Sequence, residues 1–259
     1  MGNTLLIGSC EPFSGKSALV LGLARHLLSE GRTVRFGKPL ATSLEWTAKG
    51  SPLPDPLIDD DVRFVGTTLG IDETRLIPSL HLLSPETADT RLRQGNLDAG
   101  TGLEMLLKDL QNDQDSFTML EAAGSLHEGL MYGLSLVQLA QGLDAPVILV
   151  HLWQDSRSVD ALLAAQHQLG DRLAGVVLNA VTPDEVEELN QHVVPALQAL
   201  GLKVFGVMPR SPLLRSVTVG ELVRRLDARV ICCKERLELL VETLSIGAMN
   251  VNSAMEFFR

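Results

Sequence analysis

The sequence predicts an α/β fold, a mostly parallel sheet flanked by helices, with a small α+β segment at the C-terminal end. Three observations predict it. The chain opens with a short apolar run, Thr4 to Ile7, then a Gly/Ser/Pro-rich turn, then apolar residues at helical spacing from Ala18 to Leu28. Short aliphatic runs then alternate with helically spaced stretches as far as Met208, which implies right-handed crossovers between parallel strands. Hydrophobic residues make up 45% of the 259 residues and aromatics only 4%, so a sizeable core is available and it is aliphatic.

The first element carries the most chemistry. Thr4 to Ile7 suits a buried parallel strand, and Gly15-Lys16-Ser17 stands where the turn hands over to the helix. The first backbone N–H groups of a helix lack intrahelical partners and its dipole makes that end positive, so the join can hold a phosphate. Gly15 lets the backbone approach, Lys16 can reach β- and γ-phosphates, and the Ser17 hydroxyl can ligate Mg²⁺. The usual phosphate loop has a further Gly five places before Gly15. Here that place is Cys10.

After Glu30-Gly31-Arg32, Thr33 to Gly37 reads as a second strand ending at Lys38-Pro39, because Pro39 cannot donate to a ladder. Ala41 to Pro56 is a long irregular connection. Asp59-Asp60-Asp61 opens a helix through Leu69. Ile77 to Gln94 is ambiguous, with Ser84-Pro85-Glu86-Thr87 a turn or helix start. Leu97 to Leu110 is predicted helical, Phe117 to Glu121 a strand, and Leu134 to Leu143 a helix. Further on, Pro146 to His151, Leu173 to Leu178 and Lys203 to Met208 read as strands, with helices over Val159 to Leu169 and Glu185 to Leu200. Leu173 to Leu178 ends at Asn179. Met208 to Pro212 looks like a boundary, giving segments 1–212 and 213–259. In the second, Val219 to Leu226 and Ser253 to Phe258 read as helices and Ala228 to Cys232 as a strand, while Leu237 to Leu244 is ambiguous.

Composition narrows the function. A net charge of −10 without a Lys/Arg run argues against nucleic-acid and anionic-membrane surfaces. Three cysteines, Cys10, Cys232 and Cys233, with no C-x-x-C pair, disfavour a disulfide framework or structural zinc site and favour a reducing cytoplasm. No basic region precedes a long apolar core at the N-terminus, and the most apolar run, Ala145 to Trp153, is too short to span a bilayer. Glu121 ends a buried strand at the carboxyl edge of the sheet, where ligands of such folds bind, and is a candidate metal contact as well as an ordinary loop acid. Lys38 ends the second strand and can face a γ-phosphate or an acidic substrate. Cys10 reads as a buried inert thiol, and His127, His151 and Trp153 as packing or surface residues.

Taken together these pieces resemble the dethiobiotin-synthetase-like P-loop family. They look closer still to the version at the N-terminus of long bacterial phosphotransacetylases and in related stand-alone proteins. Leu6-Ile7-Gly8-Ser9 with Glu11 to Ser17 is similar to that group's phosphate loop. Phe36-Gly37-Lys38-Pro39 followed by Thr42 resembles its Lys-Pro motif, Asp59 to Val62 its acidic motif, and Glu121-Ala122-Ala123-Gly124 the synthetase's Glu-Gly-Ala-Gly. Asp144 to Val150 and Gly175 to Asn179 match two later strands. Ser216 to Leu222 and Ile246 to Met249 resemble the opening of a domain named for an Asp-Arg-Thr-Gly-Gly motif, although the motif itself is absent.

The resemblance implies ATP and Mg²⁺ as cofactors. Glu11, Ser14, Gly15, Lys16, Ser17 and Asn179 would contact the nucleotide, with Asn179 on adenine. Ser17, Asp61 and Glu121 would hold the metal. Lys16 and Lys38 would serve the chemistry, with Thr42 a weaker partner of Lys38. Acids such as Asp61 also stand at helix starts as caps, and Asp59 and Asp60 read as caps. Partition-type ATPases carry a signature Lys at the place of Glu11, which disfavours that reading. The synthetase's Ser-Pro-His stretch is replaced by Ser84-Pro85-Glu86, and the extra carboxylate disfavours its carbamate substrate. The expected function is a homodimeric Mg-ATP-binding regulatory or sensing module with slow ATPase activity. The alternative is a ligase that activates a carboxylate or carbamate with ATP, and a small acidic substrate or effector is the further expected partner. Acetyl-phosphate chemistry is not expected.

Overall fold

The computed structural model describes residues 3–44, 53–95, 97–113, 115–211 and 216–241. They fall into two compact units, Met1–Arg210 and Ser211–Arg259.

The first unit is built on a seven-stranded parallel sheet. Its strands are β1 (Thr4–Gly8), β2 (Val34–Gly37), β4 (Leu76–Ile77), β6 (Phe117–Glu121), β7 (Val147–Leu152), β8 (Leu173–Val181) and β9 (Val204–Pro209), in the order β4-β2-β6-β1-β7-β8-β9. A two-stranded parallel pair, β3 (Leu40–Ala41) with β5 (His81–Leu82), lies outside it. The helices are α1 (Lys16–Ser29), α2 (Asp60–Leu69), α3 (Pro85–Gln94), α4 (Thr101–Asn112), α5 (Leu136–Leu143), α6 (Val159–Leu169), α7 (Val186–Glu188) and α8 (Val194–Ala199).

Strand residues alternate between two cores because successive side chains leave opposite faces of a sheet. Ile7, Phe36, Met119 and Val150 pack with Val20 and Ala24 of α1 and Val62 and Val65 of α2. Leu6, Leu120 and Leu149 pack on the other face with Leu106, Leu139, Leu162 and Leu197 of α4, α5, α6 and α8. The central strands are covered on both sides, which is why their sequences are continuously apolar.

Several expectations shift at their edges. The helix expected from Leu97 begins at Thr101, because Gly100 takes a left-handed φ of 64° and its N–H donates to Asp98. Ser84 settles the ambiguous stretch: it caps α3 in a reciprocal capping box with Thr87, and Pro85 occupies the first helical position. The expected helix over Glu185 to Leu200 is broken by a π-turn at Leu189–Val193, just before Pro195, whose missing N–H removes a helical hydrogen bond. Asn179 lies inside β8 rather than at its end, in a stretch of irregular pairing where Ala180 has φ 59°.

The second unit contains β10 (Val217–Thr218), α9 (Val219–Arg225) and β11 (Leu240–Val241), with β10 and β11 antiparallel. Thr218 caps α9 by accepting from the Glu221 N–H. Ala228 to Cys232 is not a strand. The segment finds no ladder partner among the described residues, Ile231 is exposed, and Asp227 and Cys233 take positive φ on either side. The expected helix at Ser253 to Phe258, the Ile246 to Met249 motif and the centre of the Ala41 to Pro56 connection lie outside the described residues.

Candidate functional site at the carboxyl edge of the sheet

The register of the central strands assembles the site. Ile7 of β1 pairs with Glu121 at the end of β6, and Gly37 of β2 pairs with Leu120. Lys38 therefore emerges beside Glu121, and the loop from Gly8 to Gly15 folds back above both to start α1. Two positive-φ residues shape that loop, Phe13 at 58° and Gly15 at 95°. Phe13 projects into solvent, 97% exposed. Gly15 is required twice over: its φ suits glycine, and a Cβ there would collide with the Asn179 amide. We expect Gly15→Ala to destabilise the protein by about 2 kcal/mol and to displace the loop. A thermal melt read alongside nucleotide affinity checks both effects.

Charged side chains buried at this edge include Lys16 (7% exposed), Lys38 (3%), Glu121 (2%) and Asp59 (0%). The Lys16 ammonium donates to the Ser9 hydroxyl at 3.1 Å and to the Gly124 carbonyl at 2.9 Å. Burial holds its pKa below the ordinary lysine value, although Glu121 pulls the other way. Lys38 is also buried, but its acids win. It donates to Asp61 at 2.8 Å and to Thr42 at 2.6 Å and lies 3.4 Å from Asp59. Asp59, Glu121 and Asp61 together outweigh burial and raise the Lys38 pKa.

Burial pushes the Glu121 carboxyl up to about 7 against the opposing charges of Lys38 and Lys16. One oxygen accepts from the Ser17 hydroxyl at 3.4 Å, and the other is buried with no hydrogen-bond partner. A carboxylate oxygen left without a partner next to a serine hydroxyl is the donor set a hard divalent cation takes. Ser17 and Glu121 thus fit Mg²⁺. Asp61 is half-exposed and accepts from the Lys38 ammonium.

Asp59 does what a cap does and more. Its fully buried carboxylate accepts from the Asp61 N–H at the start of α2 and from the Thr42 and Ser43 amides. It thereby joins α2 to the chain that follows Lys38. Asp60 receives the Ser43 hydroxyl instead. Asp59→Ala should cost about 2 kcal/mol, since three amides lose an acceptor while Lys38 keeps Asp61; chemical denaturation measures it.

The remaining expected residues sit as follows. Asn179 donates from its amide to the Ser14 carbonyl at 2.7 Å, bracing the phosphate loop from β8. Ser14 is buried and its hydroxyl has no hydrogen-bond partner. Glu11 reaches across to β7. It accepts from the Leu152 N–H at 2.6 Å and lies 3.3 Å from His151 Nδ1. Burial would raise its pKa, but His151, the Leu152 amide and Lys16 hold it below the ordinary value. Burial and the Glu11 carboxylate push the Cys10 thiol up to about 12, so the thiol is inert by itself.

Sequence reasoning missed Ser9 and the Gly124 carbonyl as the seat of Lys16, because such contacts are set by backbone geometry. It placed His151 among the packing residues; the ring is buried, but beside Glu11. Glu86 lines a separate cavity of about 310 Å³ with His81, Thr90, Arg91 and Tyr132, and none of the cavity's lining residues belongs to the Lys16–Lys38–Glu121 cluster.

A parallel sheet with a glycine-shaped loop, a buried lysine and a helix start at its carboxyl edge defines a nucleotide-binding P-loop protein. The chain belongs to the family described as an AAA domain, of the dethiobiotin-synthetase-like P-loop kind; the family model matches residues 3–218. It is similar to a phosphate acetyltransferase of Nitratidesulfovibrio vulgaris, 24% identical over 99% of this chain and 36% of that protein. It is also similar to the ATP-dependent dethiobiotin synthetase BioD of Pseudomonas aeruginosa, 27% identical over 83% of this chain and 92% of that protein. The chain thus spans about a third of the acetyltransferase and most of the synthetase. Among solved structures, chloroplast FtsY from Physcomitrella patens superposes with a TM-score of 0.46 at 14% identity, covering 80% of this chain and 58% of that one. Among the described residues no helix is long and apolar enough to cross a membrane.

Proposed function

We propose that this chain binds Mg-ATP at the carboxyl edge of its sheet and acts as a regulatory or sensing module with slow ATPase activity. The observation that carries this reading is the convergence of buried Lys16, Lys38 and Glu121 with Ser17 around the start of α1. Lys16 exchanges its contacts with Ser9 and Gly124 for β- and γ-phosphate oxygens. The α1 N-terminus and the loop amides take the remaining phosphate charge. Ser17, Glu121 and Asp61 would hold a Mg²⁺, which would neutralise charge on the terminal phosphates. Asn179 keeps the loop open from behind, and contact with adenine is its second proposed role. The protein works in the cytoplasm as a homodimer. Residues 1–212 form the nucleotide-binding domain and 213–259 the opening of an Asp-Arg-Thr-Gly-Gly-type domain.

A second reading, a ligase that activates a carboxylate or carbamate, is favoured by one observation. Lys38, with Thr42 at 2.6 Å, offers a second buried cation beyond the one that a nucleotide alone requires. Phosphate release from Mg-ATP, measured with and without a panel of small carboxylates and diaminoacids, separates the two. Slow release unchanged by the panel supports the module, and sharp stimulation by a diaminoacid supports the ligase. Failure to bind ATP contradicts both.

A further inference from the structure

On the opposite side of the phosphate loop from Lys38, the sheet brings together three potential metal-ligating side chains, none of them among the residues proposed to hold Mg²⁺. Gly8 of β1 pairs with Leu149 of β7, so Cys10 and His151, each two residues onward, reach the carboxyl edge side by side, with Glu11 next to them. The Cys10 sulfur, a Glu11 carboxylate oxygen and a His151 ring nitrogen all lie within 4.8 Å of one another. The His151 ring is 3% exposed, and neither of its nitrogens has a hydrogen-bond partner. Its Nδ1 approaches Glu11 Oε2 to 3.3 Å without hydrogen-bond alignment. The other oxygen of Glu11 is held by the Leu152 N–H, which fixes the carboxylate and leaves Oε2 directed at the ring.

We propose that Cys10, Glu11 and His151 form a binding site for a transition-metal ion of the Zn²⁺ class, which fastens the phosphate loop to β7. The donor set decides the class. One sulfur, one imidazole nitrogen and one carboxylate oxygen suit a borderline-soft ion, whereas Mg²⁺ takes oxygen ligands. The spacing agrees: nitrogen and oxygen ligands about 2.0–2.1 Å from a tetrahedral ion lie about 3.3 Å apart, which is the Glu11–His151 separation seen here. The sulfur closes the site by a side-chain adjustment within the 4.8 Å cluster, giving up its 3.6 Å contact with the Ala161 carbonyl. An ion deprotonates a coordinating thiol outright, so the inertness of the free Cys10 thiol is no barrier. Three protein ligands leave a fourth position open.

The test is a Co²⁺ titration of the full chain carrying Cys232→Ser and Cys233→Ser, without nucleotide or Mg²⁺. Cys10 is then the only thiol present. Cobalt at Ser17 and Glu121 has no sulfur ligand and gives no thiolate charge-transfer absorption. The expected result is one equivalent of Co²⁺ with a near-ultraviolet thiolate band, displaced by Zn²⁺. The band should vanish in Cys10→Ser, and affinity should fall at least about tenfold in Glu11→Gln and His151→Ala. Glu11→Gln keeps a carbonyl for the Leu152 amide, so it remains informative if His151→Ala fails to fold. Absence of the band, or affinity unchanged in Glu11→Gln, overturns the proposal. Because no nucleotide is present, neither outcome depends on ATP binding.

Discussion

Lys16→Ala should weaken Mg-ATP binding roughly 100-fold while leaving the fold intact. The ammonium is buried at the start of α1, and in the nucleotide complex its charge-assisted hydrogen bonds to phosphate are worth about 3 kcal/mol, which corresponds to that factor. Its loss is mild for the free protein, because the Ser9 hydroxyl also lies 2.7 Å from the Gly124 carbonyl and remains available to it. Burial already holds the Lys16 pKa down, so truncation also removes a desolvated charge. Titration calorimetry gives the affinity and a thermal melt gives the stability. Unchanged affinity would remove Lys16 from the site.

Glu121→Gln should separate stability from function in opposite directions. The carboxyl sits at about 7 in the folded protein against an ordinary value of 4.5. Between those two pH values the folded state keeps a proton that the unfolded chain has lost, so stability falls as pH rises across that window. Above about 7 the full cost of holding the buried carboxylate is present, about 3 kcal/mol for a change of that size. Glutamine carries no charge, so the variant should be more stable than the parent by up to about 3 kcal/mol at alkaline pH and no different near pH 4. It should also lose the gain in ATP affinity that Mg²⁺ confers. In the parent that gain should grow as pH rises through about 7, because only the ionised carboxylate ligates the metal. Melting curves and Mg²⁺-dependent affinities across pH read both effects. A parent protein whose stability does not decline between about pH 5 and about pH 8 would contradict the burial argument.

Features encoded locally were legible before the fold was known. Gly15-Lys16-Ser17 after an apolar run announced strand, loop and helix, and Lys38 and Glu121 stood out as charges ending buried strands. Asp59 read as a cap because an acid before a helical pattern has that role, although its hold on Thr42 and Ser43 needed the tertiary fold. Features that depend on register were not legible. Glu11 and His151 are far apart in sequence and meet only because β1 pairs with β7. Two-residue strands such as β4 and β5 carry too few residues for a period. Ala228 to Cys232 has strand-like composition but no ladder partner among the described residues, and composition alone does not supply one. The cavity that Glu86 lines was not legible either, because a resemblance in sequence gave its neighbours along α3 but not those that the fold brings to it.

The most direct measurement is a crystal structure with Mg²⁺ and a non-hydrolysable ATP analogue. The account predicts the triphosphate wrapped by Ser14 to Ser17, with Lys16 moved from Gly124 onto the β- and γ-phosphates, and the metal between Ser17 and Glu121. A nucleotide bound elsewhere, or a metal with Glu121 turned away from it, would contradict it.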